Sequence, residues 1–238
     1  KEWTEYHRSL KRDKAADNLS PVERKKKLEK LEANVIEWIL FFFSEFAKYP
    51  FTKFHKKAIK RITTNMEWYE VLSWSRELAK STIVFMCMMY LVLTGKKKNV
   101  LLISNSHENA VRLLEPYKKA FESNSMLKAY YGDLREFGSW TADEFTLTTG
   151  ATFRAIGALE SPRGTRKDAV RPDTALVDDF DTDADCRNPD ILKKKWEWFE
   201  EALFPTRSIS EDLLVIFCGN LIALDCCVKR AGDKADHW

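Results

Sequence analysis

Apolar residues along the chain fall into short blocks of two kinds, separated by polar stretches. Residues 68–74 (WYEVLSW) predict a strand, and residues 81–94 an apolar helix stopped by Gly95. Residues 99–104 (NVLLIS) predict a buried strand, followed by a helix from about Glu108 to Glu122. Residues 145–149 and 152–156 are short β-type runs around a turn at Gly150. Residues 174–177 (TALV) are another buried strand, 189–202 a Trp-rich helix, and 213–218 (LLVIFC) the last strand. Strands rich in Val, Ile and Leu that alternate with helices predict an α/β fold with a mostly parallel sheet covered on both faces.

Ahead of this pattern, residues 21–49 predict a helical segment. Ser20 is an N-cap, Pro21 takes the first helical position and Glu23 the capping-box place, while Pro50 ends the segment. Its second half, from Ile36 to Phe46, is apolar almost all round. Such a surface predicts burial against another domain or subunit. The expected organisation is a helical segment over 1–50 and one α/β domain over 51–238, with no internal repeat.

Composition agrees with a folded domain: 45% of the 238 residues are hydrophobic and 13% aromatic, which excludes global disorder. Lys and Arg total 39 against 36 acids, and a net +3 does not by itself announce a nucleic-acid binder. The charge is clustered, however, in Arg24-Lys25-Lys26-Lys27 and from Arg163 to Arg171, just before an acidic run from Asp178 to Asp185. Five cysteines without a C-x-x-C pair argue against a disulfide framework or zinc site and for reduced thiols. The first residues are charged and polar, unlike a signal peptide, and the longest apolar runs (35–43 and 83–93) fall short of the ~20 residues that span a bilayer. A soluble intracellular protein is expected.

Three stretches carry chemistry. SWSRELAKST, residues 73–82, ends in Lys-Ser-Thr as a phosphate-binding P-loop does, with Trp74 and Ala79 where the pattern has glycine. Strand, short polar loop and helix follow in the order that aims backbone N–H groups at phosphates, with Lys80 for the β/γ oxygens and Ser81 for Mg²⁺. The predicted strand 174–177 runs into Asp178 and Asp179, and ligands of open α/β sheets bind at the carboxyl ends of strands. One acid can hold the Mg²⁺ shell (Asp178) while the other orients and deprotonates water (Asp179). Gly219-Asn220 ends the last strand with an amide placed to sense a γ-phosphate. A calcium loop is the competing reading of Asp179, Asp181, Asp183 and Asp190; Ala184 at the turn position and the missing entering helix argue against it.

Taken in order, these stretches resemble the ATPase domain of the large terminase subunit of tailed bacteriophages, the motor that packages DNA into procapsids. The resemblance runs from about Phe51 to the C-terminus. Phe51-Thr52-Lys53-Phe54-His55 is similar to the adenine-side motif, with His55 where many members have Gln. Arg76-Glu77-Leu78-Ala79-Lys80-Ser81-Thr82 is similar to the family's deviant Walker A, with its arginine four residues before the lysine. Val100 to Ser104 with Ala110, Tyr131-Gly132, Arg154 to Gly157 and Ser161 to Arg166 resemble the intervening segments. Ala175 to Asp179 resembles Walker B, with Asp179 where many relatives have Glu, and Gly219-Asn220 resembles the coupling motif.

The resemblance implies an ASCE-type P-loop ATPase that uses ATP and Mg²⁺. Residues His55, 76–82 and Asn220 would bind the nucleotide, and Ser81 and Asp178 the metal. Asp179 would be the catalytic acid, Arg76 a γ-phosphate sensor, and Arg163 or Arg166 a finger for a neighbouring subunit. It further implies double-stranded DNA, a portal protein and a small terminase subunit as partners, a homo-oligomeric ring (a pentamer), and the host cytoplasm. A nuclease domain would follow in that family and cannot fit after Trp238, so no nuclease activity is expected of this chain. A superfamily-2-like translocase and a nucleotide-binding assembly module without turnover are the alternatives.

Overall fold

The computed structural model describes residues 19–46, 50–75, 77–162, 171–206 and 212–238. Three helices come first: α1 (Pro21–Glu32), α2 (Val35–Phe42) and α3 (Lys53–Thr64). The capping box at Ser20 and Glu23 forms as expected. The continuous helix expected over 21–49 is broken, because Asn34 turns extended and its Oδ1 accepts from the N–H groups of Ile36 and Glu37, starting a new helix. Residues 47–49 lie outside the described residues.

Then follow β1 (Trp68–Leu72), α4 (Lys80–Leu93), β2 (Asn99–Ser104), α5 (His107–Ser123), α6 (Ser125–Tyr131), β3 (Arg135–Trp140), β4 (Glu144–Leu147) and β5 (Thr152–Gly157). The chain continues through β6 (Thr174–Asp178), the short α7 (Asp183–Cys186), α8 (Pro189–Glu197), which runs on into a π-helical turn (Trp198–Leu203), β7 (Leu214–Cys218) and α9 (Cys227–Gly232). The seven strands form one sheet in the order β1-β7-β6-β2-β5-β4-β3. From β1 to β5 all neighbours are parallel, and β4 and β3 add an antiparallel edge. The expected α/β fold with a mostly parallel sheet is present.

Alternation within the strands explains the two layers. Val100, Leu102, Leu176, Leu214, Ile216 and Cys218 face the α2–α6 layer, and Leu101, Ile103, Ala175, Val177, Val215 and Phe217 face α8 and α9. Helix α4 is buried from Ile83 to Val92 because sheet and helices enclose it on all sides. Most of the apolar surface of α2 is covered within the chain, by helices of the 51–238 part rather than by another subunit, while Leu40 stays 43% exposed. Trp38 and Ile39 are fully buried in the core they share with α4 and α5, and the Trp38 indole donates to Tyr131 Oη at 2.8 Å.

Candidate functional site

The parallel registers bring the carboxyl ends of β1, β7, β6 and β2 to one edge of the sheet. Leu72 pairs with Cys218, Cys218 with Asp178, and Val177 with Ile103. The residues just past these strands therefore stand side by side: Ser73, Gly219, Asp179 and Asn105. Strand β7, which comes last in the chain, is inserted between β1 and β6.

The loop from β1 to α4 turns without glycine. The expected strand over 68–74 stops at Leu72, which releases Ser73 and Trp74 into the loop. Glu77 and Ala79 have positive φ values of 71° and 57°. Each costs on the order of 1–2 kcal/mol for a residue with a Cβ, so this chain accepts strain to hold a shape that glycine adopts freely. Ala79 is the N-cap of α4, and no side chain caps the first turn. That arrangement leaves the leading N–H groups for something other than the helix itself.

Lys80 opens α4 and reaches across the loop. Its Nζ donates to Asn220 Oδ1 at 2.6 Å, to the Gly219 carbonyl at 3.2 Å and to the Trp74 carbonyl. Next to it Ser81 Oγ donates to Asp178 Oδ2 at 2.6 Å. Thus the three stretches singled out in the sequence, 73–82, 178–179 and 219–220, meet through side chains. Thr82 follows, half-buried, while Glu77 and Leu78 are exposed.

Burial pushes the Asp178 carboxyl up to about 6; the Ser81 hydroxyl opposes that shift and the Asp179 charge adds to it. Asp179 is exposed and also left-handed, with φ 46°, and its N–H donates to Asp178 Oδ1 at 3.0 Å. Among the described residues no hydrogen bond reaches its own carboxylate.

A divalent cation suits this donor set. Ser81 Oγ and Asp178 Oδ2 are adjacent hard oxygens, and Mg²⁺ is held by one or two carboxylates together with phosphate and water oxygens. Among the described residues no group of three or more His, Cys, Asp or Glu side chains could hold a metal by itself. The expected ligands fit a metal that arrives with phosphates.

His55 lies on α3 with its ring against Phe54 and Trp74, at centroid distances of 4.0 and 5.5 Å. The Thr52 N–H donates to His55 Nδ1, so Nε2 carries the proton and donates to the Leu78 carbonyl at 3.2 Å. Burial holds the imidazole below its usual value, the Leu78 bond opposing, so it is a neutral buttress of the loop. Arg76, Arg163 and Arg166 lie outside the described residues, and so does most of the basic segment from 163 onward.

Two clefts flank the acids. One, of about 410 Å³, runs between α4 and α5 and is lined by Ser81, Asn105, Tyr117, Asp178 and Asp179 among others. The other, of about 290 Å³, runs toward α9 and includes Asn105, Asp179, Asp181, Gly219 and Asn220. Helix α9 abuts the turn after β7, since a Cβ on Gly219 would stand 2.3 Å from Val228 Cγ2. The Val228 N–H in turn donates to Asp181 Oδ2 at 3.0 Å. Sequence reasoning misses this clasp between the turn after β7 and the acid loop, and also Asn105. The signal for Asn105 was a polar residue directly after a fully buried strand.

Compared with protein-family models and with curated proteins, the chain matches none.

Proposed function

We propose that this chain is a Mg²⁺-dependent P-loop ATPase of the ASCE type, the motor half of a phage large terminase subunit that drives double-stranded DNA into a procapsid. The observation that carries the reading is the meeting of three distant stretches. Lys80 sits at an uncapped helix N-terminus bonded to Asn220, and Ser81 is bonded to Asp178 beside Asp179, whose carboxylate has no hydrogen-bond partner among the described residues. The insertion of β7 between the lysine strand and the acid strand supports the ASCE assignment.

In this reading the first-turn N–H groups of α4 and Lys80 Nζ bind the β- and γ-phosphates of ATP. Ser81 and Asp178 would hold Mg²⁺, which when bound offsets the charge on the β- and γ-oxygens. Asp179 accepts the proton of the attacking water, whose oxygen bonds to the γ-phosphorus as the bond to ADP breaks. Asn220, which binds Lys80 in this structure, exchanges it for the phosphate and so reads occupancy. His55 and Trp74 flank the base side of the loop. The roles of Arg76 as sensor, and of Arg163 or Arg166 as trans finger, rest on the resemblance alone. So do the portal protein and small subunit as partners, the pentameric ring and the host cytoplasm. DNA would be held through phosphates, with salt-dependent affinity.

A nucleotide-binding module without turnover is the second reading, favoured by the strained, glycine-free loop at Glu77 and Ala79. Phosphate release with Mg·ATP, with and without double-stranded DNA, separates the two. The ATPase reading expects turnover that Lys80→Ala abolishes. Binding without release, under both conditions, selects the module.

A further inference from the structure

Helix α3 carries a stripe of lysines on one face. Lys53, Lys56, Lys57 and Lys60 follow the i, i+3, i+4, i+7 spacing of a single helical face, and all four are exposed. The opposite face, with Ala58, Ile59 and Ile62, is fully buried in the core. No acid stands in the sequence between Glu45 and Glu67. Among the described residues none of the four ammonium groups has a hydrogen bond or an ion pair. Elsewhere exposed lysines are answered by acids: Lys119 by Glu115, Lys193 by Glu197, Lys229 by Asp233 and Lys234 by Glu200. In the basic run of α1, Arg24 and Lys27 lie over the rings of Tyr130 and Phe41. The α3 stripe is therefore positive charge that no other described residue neutralises. It is also firmly held. Arg61, near the end of α3, pairs with the buried Glu70 of β1, and His55, near its start, donates to the Leu78 carbonyl. Binding to such a fixed platform costs side-chain order alone.

We infer that the outer face of α3 is a docking surface for the phosphate backbone of double-stranded DNA, gripped without regard to base sequence. The stripe extends over about 10 Å, a length over which a duplex carries about six phosphates. An anionic membrane fits less well, because a helix that lies on lipid needs its apolar face free, and that of α3 is buried. Phe54, 39% exposed, is turned edge-on to Trp74. An acidic protein fits less well too, since the stripe has no aromatic or apolar anchor for the centre of an interface. From the proposed function this inference takes only the choice of DNA as the phosphate polymer.

The test is equilibrium binding of the full chain to a random-sequence duplex, read by fluorescence anisotropy between about 50 and 200 mM salt. Changing all four lysines together to glutamine keeps helix propensity. This fourfold variant is expected to bind about 10-fold more weakly or worse, and the slope of log K against log salt should fall by about 3–4. Single changes such as Lys57→Gln, which serve if the fourfold variant does not fold, should each lower that slope by about 1. A matching control changes Lys119, Lys193, Lys229 and Lys234 to glutamine, with the same effect on net charge, and should bind like the unaltered chain. Equal losses in the two fourfold variants would reduce the effect to net charge and overturn the inference. Duplex binding that ignores the α3 lysines overturns it as well, as do phosphatidylserine vesicles that bind more tightly than the duplex through the same lysines. Lys80-dependent phosphate release without DNA tests the ATPase reading separately. Turnover without α3-dependent DNA binding removes this inference alone; DNA binding through α3 without turnover removes the ATPase reading and leaves the surface.

Discussion

Asp179→Asn is expected to lower ATP turnover by about 10²–10⁴-fold, the range typical of a lost general base, while Mg·ATP still binds. The asparagine is isosteric but cannot take the proton. Binding should persist because in the proposed reading the phosphate contacts would belong to Lys80 and the α4 N-terminus, and the metal would be held by Ser81 and Asp178, which already bond to each other without Asp179. Single-turnover rates with analogue binding on the same preparation make the comparison. A variant that hydrolyses at the unaltered rate would remove Asp179 from the chemistry. A variant that loses binding in proportion to rate would instead make it a ligand.

The largest effect on stability is expected at Glu70. This carboxylate is fully buried on β1, an edge strand of the sheet. It accepts from Arg61 Nε at 3.1 and 3.0 Å, from Arg61 Nη2 at 2.5 Å and from the Trp68 indole at 2.7 Å. His237 Nδ1 lies 3.3 Å away, on the C-terminal segment that bridges to β1. Glu70→Ala would leave these donors facing a gap. Removing one partner of a buried ion pair costs about 3–5 kcal/mol, with the lower end apt here because Arg61 is 22% exposed. For a chain of this size that lowers the melting temperature by about 6–12 °C. The change should spread to the loop between β1 and α4, since the same C-terminal segment includes Trp238, whose indole donates to Ser73 Oγ at 2.9 Å. An unchanged melting temperature would mean that Arg61, Trp68 and His237 are satisfied elsewhere.

Much of the fold was legible because its signals are local. The buried parallel strands read directly as runs such as NVLLIS and LLVIFC, and α4 as an apolar run closed by Gly95. Where tertiary packing or a single side chain decides, the pattern was mute. The break at Asn34 depends on a side chain that competes with the helix. Helix α3 hides in KFHKKAIKRITT, where only Ala58, Ile59, Ile62 and Thr63 are buried. Strand β3 has no alternation to read, for its first four residues are exposed and Phe137 projects into solvent.

At the site, residue types and chain order were enough to select Lys80, Ser81, Asp178 and Asn220, because a buried strand tells where its polar end will be. Sequence could not show that Ala79 adopts a left-handed conformation that glycine takes freely, nor that Lys80 is bonded to Asn220 and to the Trp74 carbonyl. Those facts arise from the order of strands in the sheet. Asn105 and the Gly219–Val228–Asp181 clasp depend on neighbours far along the chain.

The proposed function stands on the stretch around Lys80 binding phosphate. A structure of the chain with a Mg²⁺-bound, non-hydrolysable ATP analogue tests it most directly. The expected result is Lys80 Nζ released from the Trp74 carbonyl and placed on the β/γ oxygens, with Ser81 and Asp178 turned to one metal ion and Asp179 facing the γ-phosphate. An analogue bound away from α4, or Lys80 still bonded to Trp74 and Asn220 at saturating analogue, would contradict it.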